Sequence, residues 1–282
     1  MKQTIDKIRT ILAPLYSQRE IETFIRIIFE NLLRYSPVDI IMHKDSILSD
    51  YMKSKIDKVI DDLVLHRPIQ YIFGNTYFHG YHFEVTPDTL IPRPETEELI
   101  DIIIDENNSY DLSVLDIGTG SGCIAISLAL ALKFATVVAV DISPRAIEVA
   151  KRNAKDLHAN IDFQLLDILS ATPPAKPIYD IIVSNPPYIC NWEKATMDDN
   201  VLNYEPSSAL FVSDDDPLLF YRTIAQYSQK ALKPLGTLYF EINNRYADIT
   251  VAMLKDNGYC NITIHRDIHK LPRMLSAHKI ID

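Results

Sequence analysis

The chain is poor in what membranes, oxidising compartments and nucleic acid backbones demand. No apolar run approaches the roughly 18 residues of a membrane span. The charged and aliphatic residues that alternate from Lys2 onward do not look like a secretion signal. Cysteine is sparse: Cys123, Cys190 and Cys260 are odd in number and scattered, which excludes a disulfide framework and leads us to expect reduced thiols in a cytoplasmic protein. Positive charge is in deficit. A formal net charge of −10 and a pI near 5.3 argue against a sequence-independent grip on phosphates, which needs clustered Lys and Arg. There is no internal repeat and no low-complexity tract, and 282 residues are too many for one small core and few for three domains. Glycine is scarce too, only 7 in all, yet Gly118, Gly120 and Gly122 fall in one short stretch. That clustering marks backbone that something must approach closely.

Residues 1–74 read as a small helical bundle. Ile5, Ile8, Leu12 and Leu15 recur at helical spacing. Ser17 and Glu20 have the form of a capping box, and Ile21, Phe24, Ile25, Ile28, Phe29 and Leu32 follow as an apolar stripe. Ser36-Pro37 restarts a helix, and Ile56, Val59, Ile60 and Leu63 give another stripe. No cluster of chemically active side chains stands out here, so recognition of a partner or bracing of a second domain is the expected use. Over residues 75–90 the pattern changes to strand formers, Tyr77, Tyr81, Phe83 and Val85, around a His79-Gly80 turn, which predicts a hairpin linking two domains. Residues 91–282 open with Ile91-Pro92-Arg93-Pro94-Glu95-Thr96-Glu97-Glu98, a stiff entry to a helix with acidic residues in its first turn.

From Val114 the order is strand, helix, strand, helix, strand, which predicts parallel strands with helices on both faces, an α/β fold. Asp116-Ile117-Gly118-Thr119-Gly120-Ser121-Gly122 joins the first strand to an apolar helix, and Asp141 ends the next strand, where a carboxylate can accept both hydroxyls of a ribose. A dinucleotide fingerprint would need glycine where Cys123 stands.

Asp180-Ile181-Ile182-Val183-Ser184-Asn185-Pro186-Pro187-Tyr188 is a β-branched strand stopped by two prolines. Asn185, ahead of a proline, is biased to extended geometry at the carboxyl end of that strand, where open α/β sheets bind ligands. A carboxamide, two carbonyls without neighbouring N–H groups and an aromatic ring can together hold a planar amino group. The chemistry of such a site is placement. An amide nitrogen is a poor nucleophile because its lone pair is delocalised. Two acceptors that take both its hydrogens aim the remaining lone pair, and orientation of this kind supplies on the order of 7–11 kcal/mol of a barrier.

The glycine loop with its leading acidic residue resembles motif I of S-adenosylmethionine (AdoMet)-dependent methyltransferases. Asn185-Pro186-Pro187-Tyr188 resembles motif IV of those that modify planar nitrogens: adenine N6, cytosine N4 or the amide of glutamine. With Ile91–Glu97 before them, Ile189 and Tyr204-Glu205-Pro206 after them and a helical bundle in front, these motifs look like the HemK family of release-factor glutamine methyltransferases, over nearly the whole chain. The resemblance implies a Rossmann-like class I methyltransferase domain on a mostly parallel seven-stranded sheet. It implies AdoMet as donor, S-adenosylhomocysteine as product, and N5-methylation of the glutamine in the Gly-Gly-Gln loop of peptide chain release factors. It places Gly118, Thr119, Gly120, Ser121, Gly122, Asp141, Asp167, Ile168 and Asn185 at the cofactor, and Asn185, Pro186, Pro187 and Tyr188 at the reaction. Ile168 replaces a common aromatic residue, and Val212-Ser213-Asp214-Asp215-Asp216-Pro217 replaces a glycine-rich stretch of the family. No metal and no membrane partner are expected, and a monomer is the default. A DNA or RNA amino-methyltransferase shares the target motif, but the acidic composition and the lack of an added recognition domain weigh against it. A noncatalytic AdoMet-binding partner of the translation machinery is the other alternative, against which the intact target motif stands.

Overall fold

The computed structural model describes residues 1–280 and divides into two compact units, Met1–Gly74 with Asp198–Tyr204, and Asn75–Met197 with Glu205–Asp282. The first unit contains α1 (Lys2–Leu12), α2 (Gln18–Leu33), α3 (Pro37–Met42), α4 (Asp50–Val64) and α5 (Ile69–Phe73). The capping box forms as expected, with the Glu20 amide donating to the Ser17 hydroxyl and the Ser17 amide to the Glu20 carboxylate, and Ser36 and Asp39 repeat it at the start of α3. Ile5, Ile8, Leu12, Ile21, Ile25, Ile28, Phe29, Ile56, Val59, Ile60 and Leu63 close a separate core. Leu15 departs from its expected stripe: α1 ends at Leu12, and Leu15 is 40% exposed on the turn that follows.

In the second unit the hairpin forms from β1 (Asn75–Phe78) and β2 (Tyr81–Glu84), about the His79-Gly80 turn. Its Phe78 and Phe83 are buried in the core of this unit, so the hairpin packs with the sheet domain. The rest follows as α6 (Pro94–Glu106), β3 (Ser113–Ile117), α7 (Cys123–Ala131), β4 (Thr136–Asp141), α8 (Pro144–Asp156), β5 (Ile161–Leu165), β6 (Tyr179–Ser184) and β7 (Ile189–Cys190). After α9 (Asp199–Tyr204), which groups with the first unit, come α10 (Ser207–Leu210), β8 (Phe211–Val212), α11 (Leu219–Ala231), β9 (Leu232–Glu241), α12 (Ala247–Asp256), β10 (Tyr259–Arg266) and β11 (Pro272–Lys279).

Seven strands make one sheet in the order β10-β11-β9-β6-β3-β4-β5. β5, β4, β3, β6 and β9 are parallel neighbours; β11 pairs antiparallel to β9 on one side and to β10 on the other. The last two strands are eight residues each, and their hairpin completes the sheet edge. Strand periodicity sorts the core. Val114, Ile181, Val183 and Tyr239 face the layer that holds α6, α7 and the hairpin. Leu115, Ile182, Leu238 and Phe240 face the layer that holds α11 and α12. Burial on both faces, at about 1.5–3 kcal/mol per large apolar side chain, is why these strands read as unbroken apolar runs.

Gly122 opens α7 in the left-handed region at φ 82°. A Cβ there meets Ile126 Cδ1 at 3.0 Å and Ala150 Cβ at 3.1 Å, so α8 lies against bare backbone. Gly122→Ala adds backbone strain to overpacking and is expected to cost about 1–3 kcal/mol. Urea denaturation checks this; an unchanged midpoint contradicts the packing account.

Candidate active site

In the sheet, Ile117 of β3 is the register partner of Ser184 of β6, and the Ser184 hydroxyl donates to the Ile117 carbonyl at 2.7 Å. Gly118 and Asn185 therefore leave neighbouring strands at the same level. The glycine loop is held from within. The Gly118 and Thr119 amides donate to the Val140 carbonyl at 2.9 and 3.0 Å, and the Gly122 amide to the Thr119 carbonyl at 2.8 Å. The Gly120 amide donates to Asp141 Oδ2 at 2.9 Å, and Asp141 Oδ1 takes the Ser143 amide at 2.8 Å. The Gly118, Thr119, Gly120 and Gly122 amides thus bond within the protein. What the loop offers a ligand is bare main chain: a Cβ on Gly118 or Gly120 would meet nothing within 4 Å. Burial pushes the half-buried Asp141 carboxyl above its ordinary range, against the lowering effect of the Ser143 and Gly120 amides.

Asp116 underlies the loop. Its Oδ2 accepts the Thr119 hydroxyl at 2.7 Å and the Ala125 amide at 3.2 Å, while among the described residues Oδ1 has no partner. Burial pushes this carboxyl up to about 7, against the two donors. Asn153, a buried polar residue of α8, ties the loop to the hairpin: its amide donates to the Ser121 and Glu84 carbonyls at 2.9 Å each, and its oxygen accepts the Glu84 amide at 2.6 Å.

On the β6 side, Asn185 is half-buried at the strand end, Pro186 is buried, and Pro187 and Tyr188 are half-buried. Glu241, last residue of β9 and 1% exposed, collects the side chains around them. Its Oε2 accepts the Thr96 hydroxyl at 2.6 Å and its Oε1 the Tyr188 hydroxyl at 3.1 Å; Asn185 Nδ2 lies 3.5 Å from Thr96 Oγ1. Burial raises the Glu241 carboxyl, against Thr96, Tyr188 and the charge of Arg273. Burial, then the Glu241 charge, raises the Tyr188 phenol, which stays a donor. Asn243 Nδ2 donates to the Tyr188 carbonyl at 3.1 Å. A second buried carboxylate, Glu205, accepts the Ile91 amide at 3.2 Å and the Arg93 guanidinium at 2.5 Å, which joins the Ile91–Glu97 segment to the Tyr204-Glu205-Pro206 segment. Parallel pairing of β7 with β8 links the stretch after Tyr188 to the stretch after Leu210.

The structure thus gathers Gly118, Thr119, Gly120, Ser121, Gly122, Asp141 and Asn185–Tyr188 at the carboxyl ends of β3, β4 and β6. Asp167 and Ile168 follow β5; Asp167 accepts the Leu169 amide at 2.9 Å, and Ile168 packs against the core under the sheet. Thr96, Glu205 and Glu241 carry the framework of the site. Their only signal in sequence is a polar residue within a quoted motif or at the end of an apolar strand. Cys123 is a core residue: burial pushes its thiol up to about 12. Asp214, Asp215 and Asp216 shape a turn, with Asp214 accepting the Trp192 amide and Asp216 pairing with Arg222. Among the described residues no group of His, Cys, Asp and Glu is arranged to hold a metal ion.

Asp116 makes stability depend on pH with a defined sign. Its folded pKa, about 7, lies above the ordinary 3.8, so the folded protein holds a proton that the unfolded chain releases. The stabilisation is complete below about pH 4 and is lost as pH rises through about 7, by on the order of 4 kcal/mol at 1.36 kcal/mol per pH unit. Asp116→Asn, which keeps an acceptor for Thr119 and Ala125, is expected to flatten that part of the curve. Urea unfolding of both proteins at pH 4.5 and 8 checks it; parallel curves contradict the assignment.

Comparison with known proteins follows the same two-part layout. A PrmC N-terminal domain matches residues 4–74, and a methyltransferase domain matches residues 108–279. A release factor glutamine methyltransferase from Bacteroides thetaiotaomicron is 44% identical over 96% of this chain and 98% of its own length. One from Flavobacterium psychrophilum is 44% identical over 95% of each chain. In fold, a solved methyltransferase from Pyrococcus furiosus overlays 83% of this chain and 100% of its own with a TM-score of 0.52 at 16% identity. Identity at that level across nearly the full length, with both domains matched, shows that this chain belongs to the release factor glutamine methyltransferase family.

Proposed function

We propose that this chain transfers a methyl group from AdoMet to the side-chain amide nitrogen of the glutamine in the Gly-Gly-Gln loop of peptide chain release factors. The observation that carries the reading is the register of β3 against β6, which sets the glycine loop and Asn185 side by side at the carboxyl ends of two central strands. The relatives' names supply the substrate class.

The residues fit AdoMet. Gly118 and Gly120 leave open space against the main chain, and among the described residues Asp116 keeps one buried oxygen unpartnered at the base of the loop. Each Asp141 oxygen takes one backbone amide and retains a lone pair, so the pair can accept two ribose hydroxyls. Asp167 and Ile168 would flank the adenine, with aliphatic packing from Ile168, and Thr119, Ser121 and Gly122 shape the loop. Bound there, AdoMet supplies a methyl group on a positively charged sulfur.

The chain's own residues do the placing. Asn185 Oδ1 and the Pro186 carbonyl accept the two hydrogens of the target amide and direct its lone pair toward the methyl group. As positive charge develops on that nitrogen both acceptors bind it more strongly, so they favour the transition state over the ground state. Tyr188 and Pro187 wall the flat target from water. The methylated nitrogen is acidic and gives up its extra proton afterwards, so no strong base is needed at Asn185. The helical bundle of residues 1–74 recognises the release factor, while residues 91–282, with the hairpin of residues 75–90 packed beside them, carry the chemistry.

Mass spectrometry of a release factor incubated with AdoMet and this protein is expected to show one added methyl on the glutamine of the Gly-Gly-Gln loop. Asn185→Ala should abolish it, at about 3–4 kcal/mol for one lost preorganised partner, with AdoMet still bound. Normal turnover in that variant sinks the mechanism, and incorporation into DNA or RNA instead moves the substrate to nucleic acid. Asp141→Ala should weaken AdoMet binding by roughly 1–3 kcal/mol; unchanged affinity by calorimetry removes Asp141 from the cofactor site.

A further inference from the structure

We propose that Thr96, held by Glu241, sets the orientation of the Asn185 carboxamide and so decides which of its two ends meets the target nitrogen. The inference rests on the reading of Asn185 as an acceptor for the target N–H. A carboxamide has two orientations related by a half turn, close in shape and opposite in polarity. With Oδ1 toward the target it accepts an N–H. In the reverse orientation it aims donors at an amino group that has only hydrogens to offer.

The selection follows from counting hydrogens. Thr96 Oγ1 lies 2.6 Å from Glu241 Oε2 and 3.5 Å from Asn185 Nδ2. A hydroxyl has one hydrogen, and a carboxylate can only accept. The Thr96 hydrogen is therefore committed to Glu241, which leaves Oγ1 as an acceptor toward Asn185. It attracts Nδ2 and repels Oδ1, so Oδ1 turns outward. At 3.5 Å the contact is long, and its effect is one of sign rather than strength.

Glu241 is itself fixed. Its second carboxylate oxygen takes the Tyr188 hydroxyl, and its main-chain carbonyl takes the Tyr221 hydroxyl at 3.3 Å. One buried carboxylate thus aligns both the polar wall of the target site, through Thr96 and Asn185, and the flat wall, through Tyr188. Packing alone does not call for this threonine. Thr96 is 2% exposed in the first turn of α6, where a valine would fill the same volume. Thr96 and Glu241 are accordingly positioning residues, since each acts on the target through another side chain.

The test compares Thr96→Val, which removes the hydroxyl at constant shape, with Thr96→Ser, which keeps it, in the full chain with a purified release factor and AdoMet. Thr96→Val is expected to lower kcat by about 10- to 100-fold, as for a misplaced buried partner. The AdoMet dissociation constant should stay within about twofold, and Thr96→Ser should restore most of kcat. Should the valine variant fail to fold, Thr96→Ala against Thr96→Ser carries the same contrast, since both lack the methyl and only one has the hydroxyl. Wild-type kcat in Thr96→Val beside an inactive Asn185→Ala overturns this inference alone. A loss that Thr96→Ser does not rescue also overturns it, because the hydroxyl would then not be the cause. Full turnover in Asn185→Ala instead removes the reading on which the inference rests.

Discussion

Parallel pairing of β3 with β6 is the constraint on which the site depends. With Ile117 opposite Ser184, two segments far apart in sequence end at the same height. One turns through three glycines into α7, and the other is stopped by two prolines. Were β6 to slip by one residue, its side chains would exchange faces and Ile181, Ile182 and Val183 would leave their core layers. The apolar packing on both sides of the sheet thus guards the alignment of two polar loops, and a large hydrophobic term protects a small geometric one.

Asp116, Asp141 and Glu241 stand at the carboxyl ends of neighbouring strands, and their partners give them different tasks. Asp116 has one satisfied oxygen and one with no partner among the described residues, and burial pushes its pKa up to about 7. Asp141 takes two backbone amides while half-buried, which leaves it polar and accessible. Glu241 is almost wholly enclosed, and both of its oxygens already accept hydroxyl hydrogens. A carboxylate so committed is poorly placed to take a proton from substrate. That suits methyl transfer to an amide, in which the proton leaves after the bond has formed and the enzyme's main task is to hold atoms still.

Much of this was legible in the sequence, because local physics leaves local signs. The helical stripes of Ile21–Leu32 and Ile56–Leu63, the Ser17 cap, the turn at His79-Gly80 and the alternation of strand and helix each follow from spacing or capping chemistry. The glycine loop and Asn185-Pro186-Pro187-Tyr188 were readable because unusual backbone needs unusual residues. Leu15 misled because helical spacing cannot say where a helix ends. The antiparallel β11, inserted between β10 and β9, carries no local mark, since strand direction depends on partners distant in sequence.

The framework of the site was illegible for a different reason. Thr96 and Glu241 are 145 residues apart, Arg93 and Glu205 112, and Asn153 and Glu84 69. No periodicity relates such pairs, and each member alone reads as an ordinary polar residue. Burial makes them specific. In water a threonine hydroxyl has many partners, and its orientation carries no information. Beside a carboxylate excluded from solvent it has one, and an unpaired alternative costs about 1–3 kcal/mol. The polarity of Asn185 is thus determined by a residue on another strand, through a threonine on a helix. The Ile91–Glu97 segment shows this twice: Thr96 meets Asn185 directly and Tyr188 through Glu241, while Ile91 and Arg93 meet Glu205.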